Sequence, residues 1–67
     1  MIEIVVNGVP REVPDGTTVA GLIELLGVER GQVAVERNRD VVERRRHHEV
    51  TLVRGDRVEV VTFVGGG

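Results

Sequence analysis

Apolar and polar positions alternate from the start of the chain, with Ile2, Ile4 and Val6 on one face and Glu3 and Val5 on the other. This β-branched run ends at Asn7-Gly8. Asn-Gly accepts φ > 0 at both turn positions, so the pattern predicts a β-hairpin. The return strand spans about Val9 to Val13 and stops at Pro14, which has no N–H to give to a ladder. The period then changes. Val19, Leu22, Ile23 and Leu26 stand at i, i+3, i+4 and i+7, the apolar stripe of an amphipathic helix. Thr17, after the Pro14-Asp15-Gly16 turn, offers a hydroxyl as N-cap, and Gly27 sits where an αL residue would end the helix. A helix this short is unstable alone, so its stripe must pack on the hairpin.

Beyond a loop through Gly31, Val33 to Glu36 reads as a third strand that turns at Asn38-Arg39, and Asp40 to Val42 as a short edge strand. Glu43 to Glu49 is a polar, arginine-rich connector without a clean period, and Val50 to Val53 leads into the Arg54-Gly55-Asp56 turn. The last strand is expected from Arg57 to Val64, with Val58 and Val60 inward and Val61 and Phe63 outward. A hairpin crossed by one helix, then a last strand lying parallel to the first, is an α+β arrangement of the β-grasp type. It predicts a mixed sheet of four to five strands. The long crossover through the helix allows the parallel pairing and sends the chain off the sheet end as a protruding tail.

Composition narrows the function. Sixty-seven residues make a single domain, 1–67, with no room for a second core. The absence of cysteine removes disulfides, thiolate metal sites and a cysteine nucleophile. No apolar run exceeds three residues, so neither a membrane span nor a signal segment is expected, and the default location is cytoplasmic. The nine basic residues are all arginine and are outnumbered by eleven acids, which argues against nucleic acid as partner. Arg44-Arg45-Arg46-His47-His48 reads as a solvated surface, suited at most to an acidic partner. Two histidines without a third ligand make no closed metal site. Asp15, Asp40 and Asp56 all fall in turns, where aspartate has local backbone reasons to be.

The chain closes with Phe63-Val64-Gly65-Gly66-Gly67. A glycine arm has no Cβ atoms, is thin and flexible, and can be threaded into a narrow active site. Its terminal carboxylate is a poor electrophile until an activating enzyme gives it a good leaving group. That chemistry asks for no catalytic side chain on the carrier, consistent with a sequence lacking Cys, Lys and any Ser/His/Asp set at plausible spacing. The chain is therefore expected to be acted upon rather than to be an enzyme. Gly67 would be the modified residue, with Gly65 and Gly66 needed for threading. Val5, Val61 and Phe63 would form a docking patch on the outer sheet face.

These pieces resemble the ubiquitin-like bacterial sulfur carriers, most closely the ThiS family of thiamine thiazole biosynthesis. The resemblance rests on Asn7-Gly8, on Val13 through Val19, and on Leu22 through Leu26. Val33-Ala34-Val35 with Asn38, Val41-Val42 with Arg44 and Arg46, Gly55 through Val60, and the tail carry the rest. Two places depart from the family pattern: Arg39 follows Asn38 where glycine is common, and Glu43 and His47 replace a proline and an aromatic. The resemblance implies an E1-like adenylyltransferase (ThiF-like) that uses ATP and Mg²⁺, a cysteine desulfurase or equivalent sulfur donor, and thiazole synthase (ThiG) as receiver. It implies a thiocarboxylate on Gly67. Two other readings stay open: a molybdopterin-synthase small subunit of the MoaD kind or another ubiquitin-like modifier, and a β-grasp binding module with an incidental tail.

Overall fold

The computed structural model describes residues 1–29 and 32–63. Strands β1 (Ile2–Val6) and β2 (Val9–Val13) form the expected hairpin, in register from Ile2↔Val13 to Val6↔Val9. Asn7 and Gly8 turn it with φ of 49° and 82°, the two left-handed positions that an Asn-Gly turn supplies. Helix α1 (Val19–Leu26) follows, then β3 (Val33–Arg37), β4 (Asp40–Val42), a 3₁₀ turn at Arg44–Arg46, and β5 (Arg57–Thr62). The strands join in one sheet of order β2-β1-β5-β3-β4. β1 and β5 are parallel and the other pairs antiparallel, so the β-grasp arrangement read from the pattern is the one observed. Val64, expected to end the last strand, the loop position Gly31 and the glycines 65–67 lie outside the described residues.

One core holds the layers together. Val19, Leu22 and Ile23 of α1 pack with Ile4, Val6, Val13, Val33, Val35, Val58 and Val60 from the inner sheet face, and Leu52 joins them from the connector. Each such side chain contributes on the order of 1.5–3 kcal/mol when fully buried. The helix ends as expected: Gly27 is αL at φ 75°, its N–H bonds back to Glu24, and Val28 N–H reaches Ile23.

Two features differ from the sequence expectation. The N-cap is Thr18, not Thr17: Thr18 Oγ1 accepts from Gly21 N–H at 3.1 Å. Thr17 is committed elsewhere, since both its N–H and its hydroxyl donate to Pro14 O, closing the preceding turn. The connector is also more than a solvated run. Its 3₁₀ turn leaves the arginines exposed and swings His47 inward to 1% exposure, with Nε2 3.1 Å from Val42 O. The connector's carbonyls meanwhile accept the first amides of α1, Val50 O from Val19 N–H and His47 O from Ala20 N–H. Helix N-termini need such partners, so this segment serves as a lid on the start of α1.

Candidate functional site

The region that leads to the tail is the outer face of β5, where odd-numbered residues point away from α1. Reading toward the tail, that face presents Arg57, Glu59, Val61 and Phe63. Val61 and Phe63 are exposed at 55% and 54%, with Ala34 of β3 directly across from Val61. The backbone holds this end in place. β3 pairs with β5 from Arg37↔Val58 to Val33↔Thr62, and Phe63 N–H adds a 2.7 Å bond to Gln32 O.

Val5 lies on the same face but not in the same patch. The parallel register sets Val5 beside Arg57, four residues before Val61. At the ordinary rise of a strand this separation is about 13 Å. Alternation assigned the face correctly. The proposed trio nevertheless divides into an apolar end near the tail, Val61 and Phe63, and a separate Val5 site beside the turns. Between them Glu59 stands directly opposite Glu36, and farther out Glu3 stands opposite Glu12. Like charges in cross-strand pairs cost stability, about 0.2–1 kcal/mol each.

Asn7 does more than turn the hairpin. Its Oδ1 accepts from Val60 N–H at 2.8 Å and its Nδ2 donates to Val60 O at 3.1 Å. The β1–β5 ladder is short, with Cα partners only at Val5↔Arg57 and Val6↔Val58. The Asn7 amide thus acts as one further rung where β1 has already turned away, steadying β5 on its course to the tail. No local signal could reveal this, because the partners are 53 residues apart. Asn7→Asp keeps a residue that tolerates the left-handed turn but sets a carboxylate against the Val60 carbonyl. The expected loss is about 1–2 kcal/mol in urea unfolding, with faster exchange of the Val60 amide. Unchanged exchange would mean that the amide bonds do not hold the strand.

The other candidate groups are structural. Asp56, 4% exposed, accepts from Val53 N–H at 2.8 Å, Arg37 Nε at 2.9 Å and Asn38 Nδ2 at 3.1 Å. It ties the last turn to the β3–β4 turn, as its sequence setting suggested. In the arginine run, Arg45 pairs with Glu43 and Arg46 with Glu49. Among the described residues no three His, Cys, Asp or Glu side chains gather to hold a metal. Among the described residues no helix is long and apolar enough to cross a membrane. The residue expected to be modified, Gly67, and the two expected to be needed for threading, Gly65 and Gly66, lie outside the described residues.

The sequence model of the ThiS family matches residues 4–67. The chain belongs to the ThiS family. A solved structure agrees: the crystal structure of the thiamine biosynthesis protein ThiS from Geobacter metallireducens superposes with a TM-score of 0.83 at 36% identity, covering 98% of this chain and 100% of that one. The sulfur carrier protein ThiS of Bacillus subtilis is 42% identical over 53 residues, covering 79% of this chain and 80% of its own. A thiazole synthase from Magnetococcus marinus is 46% identical over 66 residues, 98% of this ThiS-family chain, and one from Paramagnetospirillum magneticum is 39% identical over the same length. The chain spans only 20% of the length of each of these two synthases.

Proposed function

We propose that this domain carries sulfur for thiamine thiazole formation as a thiocarboxylate on Gly67. The observation that carries the reading is the family match through residue 67, which places the glycine tail inside the matched pattern. In the first step a Gly67 carboxylate oxygen attacks the α-phosphorus of ATP, and pyrophosphate leaves as the acyl adenylate forms. A sulfur nucleophile at the oxidation level of hydrosulfide then attacks the carbonyl carbon. AMP departs, and the acyl group keeps the sulfur. Mg²⁺ and ATP are handled by the activating enzyme of the ThiF type; a cysteine desulfurase or equivalent supplies the sulfur as a persulfide, which two electrons from a thiol reductant, itself oxidised to a disulfide, bring to the hydrosulfide level. The stretches in two thiazole synthases that match this chain support such a synthase as the receiver.

The body's part is to hold the tail and to dock. Phe63 and Val61, exposed beside the tail, supply an apolar contact for the activating enzyme. A half-exposed aromatic is well suited to anchor an interface. Phe63→Asp is expected to weaken binding to the adenylyltransferase at least about tenfold, with little change in melting temperature. A large drop in melting temperature with unchanged affinity would assign Phe63 to packing instead.

The direct test offers the purified protein to a ThiF-like and to a MoeB-like enzyme, each with Mg²⁺-ATP, and follows pyrophosphate release and the carrier adenylate. Adenylation by the ThiF-like enzyme supports the thiamine assignment. Activation by the MoeB-like enzyme alone would move the carrier to molybdopterin synthesis, and activation by neither would remove the carrier reading.

A further inference from the structure

The turn end of the outer face, away from Phe63, holds a concavity of about 450 Å³ whose lining includes Val5, Gly8, Arg39, Arg57 and Glu59. Neither the Arg39 nor the Arg57 side chain takes part in an ion pair or side-chain hydrogen bond among the described residues, although Arg37, Arg45 and Arg46 all do. Arg39 holds φ 73° at the second position of the β3–β4 turn, a left-handed conformation that glycine adopts without strain and arginine does not. Strain kept at one residue, with its charged side chain on a concave surface, points toward function.

We propose that this concavity is a second docking point, and that it takes an acidic side chain of the enzyme that activates the tail. The inference rests on the carrier reading above and adds to it the chemistry of the partner's surface. Two guanidinium groups bordering one depression suit a carboxylate, which each can meet with paired N–H donors. Val5 offers an apolar wall for the methylenes of an Asp or Glu, and Gly8 places no side chain there. A free phosphate or nucleotide fits less well. Glu59 borders the same depression and Glu36 stands across from it, so a multiply charged anion meets repulsion that a single carboxylate on a protein stem meets far less. The complementary enzyme surface carries an acid opposite Arg39 and Arg57, a basic group opposite Glu36 and Glu59, and an apolar patch opposite Val61 and Phe63. Such a sequence of contacts fixes the orientation of the domain along β5, and with it the direction in which the tail is presented. Charged contacts of this kind set specificity and association rate.

The test measures binding of the full chain to a purified ThiF-like adenylyltransferase by calorimetry at low and at moderate salt. Arg57→Glu should raise Kd at least about tenfold, and Arg57→Gln by less, with a weaker salt dependence than the wild type in both. Arg39→Gly is the informative variant: it should melt at the same temperature as the wild type or higher, yet bind more weakly, with the loss in adenylation falling on KM. A role in folding alone would lower melting temperature and affinity together. Wild-type affinity and salt dependence in all three variants, while the wild type is adenylated normally, overturns the docking point and leaves the carrier reading intact. Failure of the wild type to be adenylated removes the carrier reading itself. Millimolar phosphate or ATP alone shifting the arginine side-chain NMR signals of Arg39 and Arg57 would also overturn the proposal, in favour of a free-anion site.

Discussion

Gly66→Ala is expected to reduce thiocarboxylate formation at least about a hundredfold while the protein melts as before. The expectation follows from where the work of each part lies. The buried core of the described residues runs from Ile4 to Val60, all of it earlier in the chain than Gly66. In the function proposed above, the tail must instead enter a site narrow enough to align one carboxylate oxygen with a phosphorus atom. A Cβ added one residue before the reacting group takes space there and restricts the backbone. A displacement of about 1 Å at a reacting centre can cost on the order of 100-fold in rate. Deleting Gly67 should be at least as damaging, because it shortens the reach by one residue. The check is the mass of each variant after incubation with activating enzyme, ATP and a sulfur source, beside its melting curve. Sulfur uptake at the wild-type rate by Gly66→Ala would show that the tail is not read at this position.

The largest effect on stability is expected at Asp56. Removing its carboxylate in Asp56→Ala strands three donors, Val53 N–H, Arg37 Nε and Asn38 Nδ2, and unties the last turn from the β3–β4 turn. Arg37 is 32% exposed and can regain water, which places the loss near 2–4 kcal/mol rather than higher. That is a large share of the roughly 3–10 kcal/mol available to a domain of this size. The same geometry predicts a pH dependence. Burial pushes the Asp56 carboxyl upward, but the Val53 amide, Asn38 and Arg37 together outweigh it, so the carboxyl lies below its ordinary value of 3.8. A depressed folded pKa means that the stabilisation is fully present above the unfolded value and is lost as pH falls through the folded one. Asp56→Asn should therefore be less stable than the wild type at pH 7, with the gap narrowing below about pH 4. Urea unfolding of both proteins across that range would decide it; a constant gap would mean that the carboxylate charge is not what the donors hold.

How much of this was legible in the sequence depended on the range over which each signal acts. β1 and β2 were readable because alternation and Asn7-Gly8 sit within a dozen residues, and α1 because its stripe and Gly27 are local. Features set by contacts distant in sequence were not. Asn7 pairs with Val60 and Asp56 with Arg37, and neither partner is marked by local periodicity. His47 looked like the end of a charged run, since nothing in its neighbours shows that a 3₁₀ turn would rotate it inward. Its alignment with an aromatic position of the family was the available hint. For the candidate site, a period of two assigns a residue to a face but not to a height along it. Val5, Val61 and Phe63 were accordingly placed on the right side of the sheet, while their separation awaited the parallel register Val5↔Arg57. Thr17 and Thr18 are equally good caps by type, and only Thr17's bonds to Pro14 O decide between them.

The central claim is that sulfur is carried on the Gly67 carbonyl. Tandem mass spectrometry of the protein, after incubation with ThiF-like enzyme, Mg²⁺-ATP and a sulfur donor, tests it most directly. The account predicts that one oxygen is replaced by sulfur, that the change maps to Gly67, and that it disappears on transfer to a thiazole synthase. An unmodified Gly67 in a mixture whose enzymes load a known ThiS, or sulfur found at any other residue, would contradict it.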